Sequence, residues 1–95
     1  MKCGGFNKTK INKDHIQLID NLKNEIEVSD NEILKEFEIL EVEQQVVAGI
    51  NYRFKIKTPN TDGKCFFLKV YKDLHNHTSI SSIIKNKKID DILEI

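Results

Sequence analysis

The sequence predicts an α+β fold in which one long N-terminal α-helix is wrapped by an antiparallel β-sheet of four to five strands. Three observations predict it. Apolar residues recur at spacings of three and four in the first third of the chain, which is typical of one face of a helix. From Phe37 onward, apolar and polar residues alternate, which indicates strands. Glycine-containing turns then separate these strands at spacings that suit hairpins.

Length and composition predict a single domain over residues 1–95 and exclude several classes of protein. Fifteen basic and fifteen acidic residues give zero net charge, so no overall field attracts nucleic acid or an anionic membrane. No apolar run approaches the roughly 20 residues that span a bilayer, and the first residues lack the apolar centre of a signal peptide. Cys3 and Cys65 have no metal or redox spacing. We expect a cytoplasmic protein without a cofactor.

The first eleven residues contain two adjacent glycines and no apolar period, so we expect an extended, mobile start. Asn12 is a candidate N-cap for the helix that follows, and Asp14 in the first turn complements the helix dipole. His15 is expected to be exposed, with no chemical role.

One apolar stripe defines the helix. It comprises Ile16, Ile19, Leu22 and Ile26. We expect one helix to about residue 34, because Ile33 follows Ile26 by seven residues. Ser29 with Glu32 offers an alternative, a capping box that opens a second short helix.

The sheet is predicted from three strands with two turns between them. Residues 37–46, 50–57 and 64–74 alternate in polarity, and Asp62-Gly63 ends the clearest turn of the chain. One sheet face is expected to cover the helix stripe; its residues are Tyr52, Phe54, Ile56, Phe66, Leu68 and Val70. Hairpins on either side of the Pro59 turn must return to the same edge of the sheet. For residues 80–95, periodicity does not separate helix from strand.

The turn between the first two strands is unusual in composition. Turns favour Asn, Asp, Ser and Pro, whereas this tip is small, apolar and uncharged. Gly49 can adopt positive φ, which fits a three-residue loop of Val47, Ala48 and Gly49. An apolar tip of this kind indicates a surface that binds a partner.

The same residues carry a family resemblance. The sequence Gln-Val-Val-Ala-Gly at residues 45–49 resembles the QxVxG hairpin of the cystatin family, and the match extends through Asn51 and Tyr52. The first five residues and residues 68–74 resemble the intracellular type-1 branch, the stefins. The three blocks occur in order and at stefin spacing, and together they cover most of the chain.

This resemblance implies a function, a partner and a binding site. Stefins inhibit papain-like cysteine proteases of the cathepsin L, B or H type, reversibly and competitively, with an N-terminal trunk and two hairpin loops that occlude the active-site cleft. By this resemblance the residues that bind the protease are Cys3, Gly4, Gly5, Gln45, Val46, Val47, Ala48, Gly49, Leu74 and His75. Stefins end in a strand, so the resemblance also predicts a strand at residues 91–95.

The sequence departs from the stefin pattern in the second of the two loops. Stefins usually place proline where this chain has His75. Without the fixed φ of proline, we expect this turn to be less pre-organised and to contribute less to binding, and the imidazole to give binding some pH sensitivity. Phe6, after the glycine pair, is expected to select among target proteases.

Other functions are weaker interpretations of the same residues. Cys65 with His75 or His77 suggests a thiol–imidazole pair, but no oxyanion donors or glycine-rich elbow lie nearby. A metal site at Asp73, His75 and His77 lacks a fixed second shell. We therefore expect no enzyme. A non-inhibitory interaction module on the same fold is the alternative function. A monomer is expected, with dimers through strand swapping or Cys3 oxidation as alternatives.

Overall fold

A computed structural model describes residues 5–29, 32–59 and 63–95. Within these residues, five antiparallel strands form one sheet in the order β1-β4-β5-β6-β7. A two-stranded sheet of β2 and β3 lies apart from it. The strands are β1 (Asn7–Thr9), β2 (Glu27–Ser29), β3 (Glu32–Ile33), β4 (Glu38–Val47), β5 (Gly49–Lys57), β6 (Lys64–Lys72) and β7 (Thr78–Lys88). The predicted α+β class is confirmed.

The helix begins where the sequence predicts. Helix α1 (Lys13–Leu22) has Asn12 as its N-cap, and the Asn12 side chain accepts a hydrogen bond from the His15 backbone N–H at 3.1 Å. The His15 ring returns the bond, since its Nδ1 accepts from the Asn12 backbone N–H at 3.1 Å. The His15 ring is also buried and packs edge-on against Tyr52 and Phe54. The prediction that His15 is exposed is therefore wrong.

The helix ends much earlier than predicted. A short 3₁₀ turn (Lys23–Glu25) follows α1, and Ile26 is already extended. The short β2 and β3 strands occupy the region where the sequence predicts a continued helix or a second helix. The seven-residue repeat is misleading, because Ile33 is 46% exposed while Leu34 is buried. The β-branched Ile26 and Val28 favour extended backbone, and the core takes Leu34 instead.

The main core lies between α1 and the inner face of the sheet, as predicted. The predicted sheet residues pack in one cluster with Ile19, Leu22 and Ile26. Ile16, the first residue of the predicted stripe, is 48% exposed and lies outside that cluster. No helix in the described part of the chain has the length and apolar character needed to cross a bilayer.

The C-terminal residues do not form the predicted strand. β7 ends at Lys88, and residues 91–95 cross the outer face of the sheet without regular structure. Leu93 packs there with Cys65 and Phe67 in a second cluster. The Lys55 ammonium fixes this tail by donating to the carbonyls of Ile89 at 2.7 Å and Asp91 at 2.6 Å. The strand expectation is wrong because these long-range contacts decide the conformation.

The chain start is partly ordered. The sequence predicts an extended, mobile segment over residues 1–11, but Asn7–Thr9 form β1 and pair with β4. Residues 1–4, including Cys3 and Gly4, lie outside the described residues. The predicted turn after Pro59 also lies partly outside them, although β5 and β6 flank it as expected and Gly63 has a positive φ of 64°.

Candidate functional site

The tip of the β4–β5 hairpin projects from one end of the sheet. Val46 is 71% exposed and Val47 is 43% exposed, so the tip presents apolar side chains to solvent. Val47 pairs with Gly49, which leaves Ala48 at the apex, and Gly49 has a φ of 106° as the sequence predicts. Below the tip, the Asn51 side chain donates to Gln45 Oε1 at 2.9 Å. This cross-strand bond fixes the base of an apolar protrusion.

The hairpin tip lies directly against the end of β6. A Cβ atom on Gly49 would fall 2.4 Å from the Lys72 carbonyl oxygen and 3.1 Å from the Asp73 Cα. The Tyr71 hydroxyl donates a hydrogen bond to the Ala48 carbonyl. Glycine at position 49 is therefore required by both its φ and this close approach. The two contacts join the first hairpin to the loop that follows β6.

The loop at residues 73–77, which we call the second loop, is organised by one carboxylate. Asp73 Oδ1 accepts from the backbone N–H of His75 at 2.8 Å and of His77 at 2.9 Å. Two backbone bonds close the loop, from Asp73 N–H to the His77 carbonyl and from Asn76 N–H to the Asp73 carbonyl. Asn76 adopts a left-handed φ of 67°, which Asn tolerates well.

The electrostatics of Asp73 follow from these bonds. The backbone N–H of His77 lowers the pKa of the Asp73 carboxyl most, partial desolvation opposes it, and the N–H of His75 adds to the lowering. The His77 imidazole lies 3.4 Å from Asp73 Oδ2. Asp73 therefore orders a loop that has His75 where the resemblance leads us to expect proline. A proline at this position would have no N–H to donate to Asp73.

The N-terminal segment runs to the same end of the sheet. β1 pairs antiparallel with β4, with Asn7 opposite Gln44. The residues just before Asn7 therefore lie toward the end of the sheet that carries the first hairpin. β1 thus lies beside the strand that leads into the first hairpin, on the side away from the second loop.

The structure brings together the predicted site residues that it describes. Gly5, residues 45–49, Leu74 and His75 lie along one edge, and Leu74 is 75% exposed. Sequence reasoning missed Tyr71 and Asp73, which hold the two loops without forming their tips. Asp73 carried a detectable signal, because Asp commonly accepts a hydrogen bond from the backbone two residues on.

The structure separates the residues of the alternative thiol–imidazole site. Cys65 lies at the start of β6 and the two histidines lie beyond its other end, more than about 20 Å away at the rise of an extended strand. Burial also raises the pKa of the Cys65 thiol, which disfavours a reactive thiolate. In the described ranges, no group of three or more His, Cys, Asp or Glu is placed to hold a metal.

Comparison with known protein families shows the family to which this chain belongs. The family model for the cystatin domain matches residues 17–88, which is 72 of the 95 residues. The chain belongs to the cystatin family. The match covers both loops of the edge, whereas β1 and the residues before it precede the matched range.

Similar proteins place this cystatin on the type-1, or stefin, branch. Cystatin-A of Bos taurus is 39% identical over 88 residues, which cover 92% of this chain and 87% of the bovine protein. Cystatin-A of Felis catus is 39% identical and that of Homo sapiens 36%, each over 72 residues that cover 75% of this chain and 71% of the relative.

Proposed function

We propose that this cystatin is a reversible, tight-binding, competitive inhibitor of papain-like cysteine proteases of the cathepsin L, B or H type. In this proposal three segments enter the active-site cleft together: the chain start with Cys3, Gly4 and Gly5, the first hairpin at residues 45–49, and the second loop with Leu74 and His75. The observation that carries it is the convergence of the described parts of these segments on one edge of the sheet.

The chemistry of the edge suits a hydrophobic cleft. Val46, Val47 and Leu74 are exposed and uncharged, and their burial contributes about 25 cal/mol for each Å² of apolar area removed from water. The Ala48 carbonyl already accepts a bond from Tyr71. An apex with its carbonyl engaged and its side chains apolar fits occlusion of the cleft rather than presentation of a peptide bond to the nucleophile.

The edge is also largely formed before it binds. The Gln45–Asn51 bond, the Tyr71–Ala48 bond and the Asp73 carboxylate fix both loops within the free protein. Little conformational entropy remains to be lost in these loops on association, so more of the contact energy appears as affinity. The protein is proposed to act as a monomer in the cytosol, where a free buried thiol such as Cys65 suits reducing conditions.

Titration against papain tests this function. The intact chain is expected to inhibit stoichiometrically, and a chain beginning at Phe6 should dissociate faster, because it lacks the segment beside the first hairpin. Val47→Asp should raise the inhibition constant about a hundredfold, since the cleft would desolvate a carboxylate.

A matched control separates this effect from a change in folding. Ile84 is 40% exposed, nearly as exposed as Val47, and lies in the half of the sheet away from the edge. Ile84→Asp should inhibit like the wild type. Absent inhibition by a folded wild-type chain would instead favour an interaction module that has lost the inhibitory role.

A further inference from the structure

The ring of Phe6 lies on the outer face of its own sheet. The Arg53 guanidinium carbon is 4.2 Å from the ring centroid, and the Lys69 ammonium is 5.7 Å from it. Both distances fall within the range of cation–π contacts. Phe6 is half-buried as a result, although it precedes β1 near the start of the chain.

The sheet register places these cations under the ring. Arg53 pairs with Glu43 of β4 on one side and with Lys69 of β6 on the other, so the three side chains form a row across the sheet. Glu43 Oε1 accepts from Arg53 Nε at 2.5 Å, at the edge of the guanidinium group. An ion pair at the edge leaves the guanidinium face available for the ring. Arg53 and Lys69 therefore form a positively charged surface on the sheet against which an aromatic ring packs.

We propose that Phe6 is a positioning residue that docks the N-terminal segment on Arg53 and Lys69 and so aligns it with the first hairpin before a protease binds. This inference rests on the proposed function. It replaces the expectation that Phe6 selects among target proteases, because a ring engaged on its own sheet is not free to enter the cleft. Gly5, which immediately precedes Phe6, is exposed, and a Cβ atom at position 5 would have no neighbour within 4 Å.

Docking at Phe6 reduces the conformational entropy that the N-terminal segment loses when the protease binds. A segment that is ordered only in the complex loses its conformational entropy on association, whereas one already held on the sheet loses less. β1 by itself is three residues long, which is a short anchor for the segment. Removing the ring should therefore weaken inhibition through faster dissociation and slower association, with little change in the stability of the core.

A double-mutant cycle in the full chain tests the proposal. Phe6→Ala and Arg53→Gln should each raise the inhibition constant about tenfold, and the double variant should be no worse than the worse single variant, because both remove one contact. Phe6→Trp should inhibit at least as well as the wild type, since indole is the best cation–π acceptor. Lys85→Gln, which removes an exposed positive charge at the opposite end of the sheet, is the control and should have no effect.

A spectroscopic measurement tests the contact apart from inhibition. In the wild type, the Arg53 side-chain protons should show an upfield ring-current shift that is lost in Phe6→Ala. Absence of that shift, or additive effects of Phe6→Ala and Arg53→Gln, would overturn the inference.

If Phe6→Ala is poorly folded, Phe6→Leu keeps apolar cover without the aromatic face and should still weaken inhibition. A wild type with the ring-current shift but without papain inhibition would refute the proposed function and leave the docking intact.

Discussion

At the scale of single residues, the Asp73 carboxylate organises the second loop. Its carboxylate accepts two backbone N–H bonds in a loop that reaches solvent, and these bonds favour the ionised carboxyl. A residue that lies outside the exposed tip of the loop thus helps to determine the shape of the tip. The same is true of Tyr71, which holds Ala48 from the neighbouring strand.

We predict that the second loop keeps its structure through the ordinary titration range of aspartate. The folded pKa of Asp73 is lowered, so its contribution is fully present above the unfolded pKa, near 3.9, and is lost as pH falls through the folded value. The backbone amide resonances of His75 and His77, followed by NMR, should report a carboxyl transition only below that range. Asp73→Asn should abolish the transition while keeping an acceptor. An Asp73 carboxyl that titrates at its ordinary value would contradict the prediction.

The residue scale also shows what a sequence can and cannot predict. The positive φ of Gly49 was predictable from glycine's local freedom within a hairpin. Its contact with the Lys72 carbonyl was not, because that contact depends on how two loops meet in space. His15 was misjudged for the same reason: only the packed structure shows the ring between the helix start and Tyr52.

At the scale of elements, the helix has a strong start and an early end. Asn12 and His15 satisfy each other's backbone N–H groups, which is a reciprocal capping box with histidine in the position that Glu or Gln usually takes. Beyond Leu22 the chain tightens into a 3₁₀ turn and then becomes extended. The sequence predicts the start because caps are local. It does not predict the end, because the apolar spacing suggests a helix as far as Ile33, whereas the chain is already extended at Ile26 and buries Leu34 instead.

We predict that Asn12→Ala lowers the free energy of unfolding by about 1 kcal/mol, the usual cost of removing an N-cap side chain. Chemical denaturation monitored by circular dichroism measures this. Asn24→Ala, at an exposed position in the 3₁₀ turn, is the matched control and should change stability much less. Equal effects of the two substitutions would show that the cap carries no special stability.

The C-terminal tail depends on one buried lysine. Lys55→Met keeps the length of the side chain but leaves the carbonyls of Ile89 and Asp91 without their cationic donor and removes the ion pair with Glu41, whose Oε1 lies 3.3 Å from the ammonium. We predict a loss of about 3 kcal/mol in the free energy of unfolding and faster proteolysis within residues 89–95. Lys57→Met, two residues along β5 at a half-buried position, is the control. Unchanged stability of Lys55→Met would contradict the assigned role of Lys55.

At the scale of the whole molecule, strand topology produces the edge that we propose binds the protease. Antiparallel order returns the β4–β5 and β6–β7 connections to one end of the sheet, and β1 directs the chain start toward that end. The return of the two connections to one end was predictable because hairpin geometry imposes it. The pairing of β1 with β4 was not, since residues 1–11 show no apolar period. The path of residues 89–95 was not, since their polarity pattern fits several conformations and only contacts with Lys55 and Phe67 select one.

The most direct test of the account is to map the contact surface on the isotopically labelled chain with unlabelled papain. We predict that the largest NMR amide changes on binding fall at Gly5 and Phe6, at residues 46–49 and at residues 73–77, with little change at Thr58, Lys64 and Lys85 at the opposite end. Changes concentrated at that opposite end, with the edge unaffected, would contradict occlusion by the three converging segments.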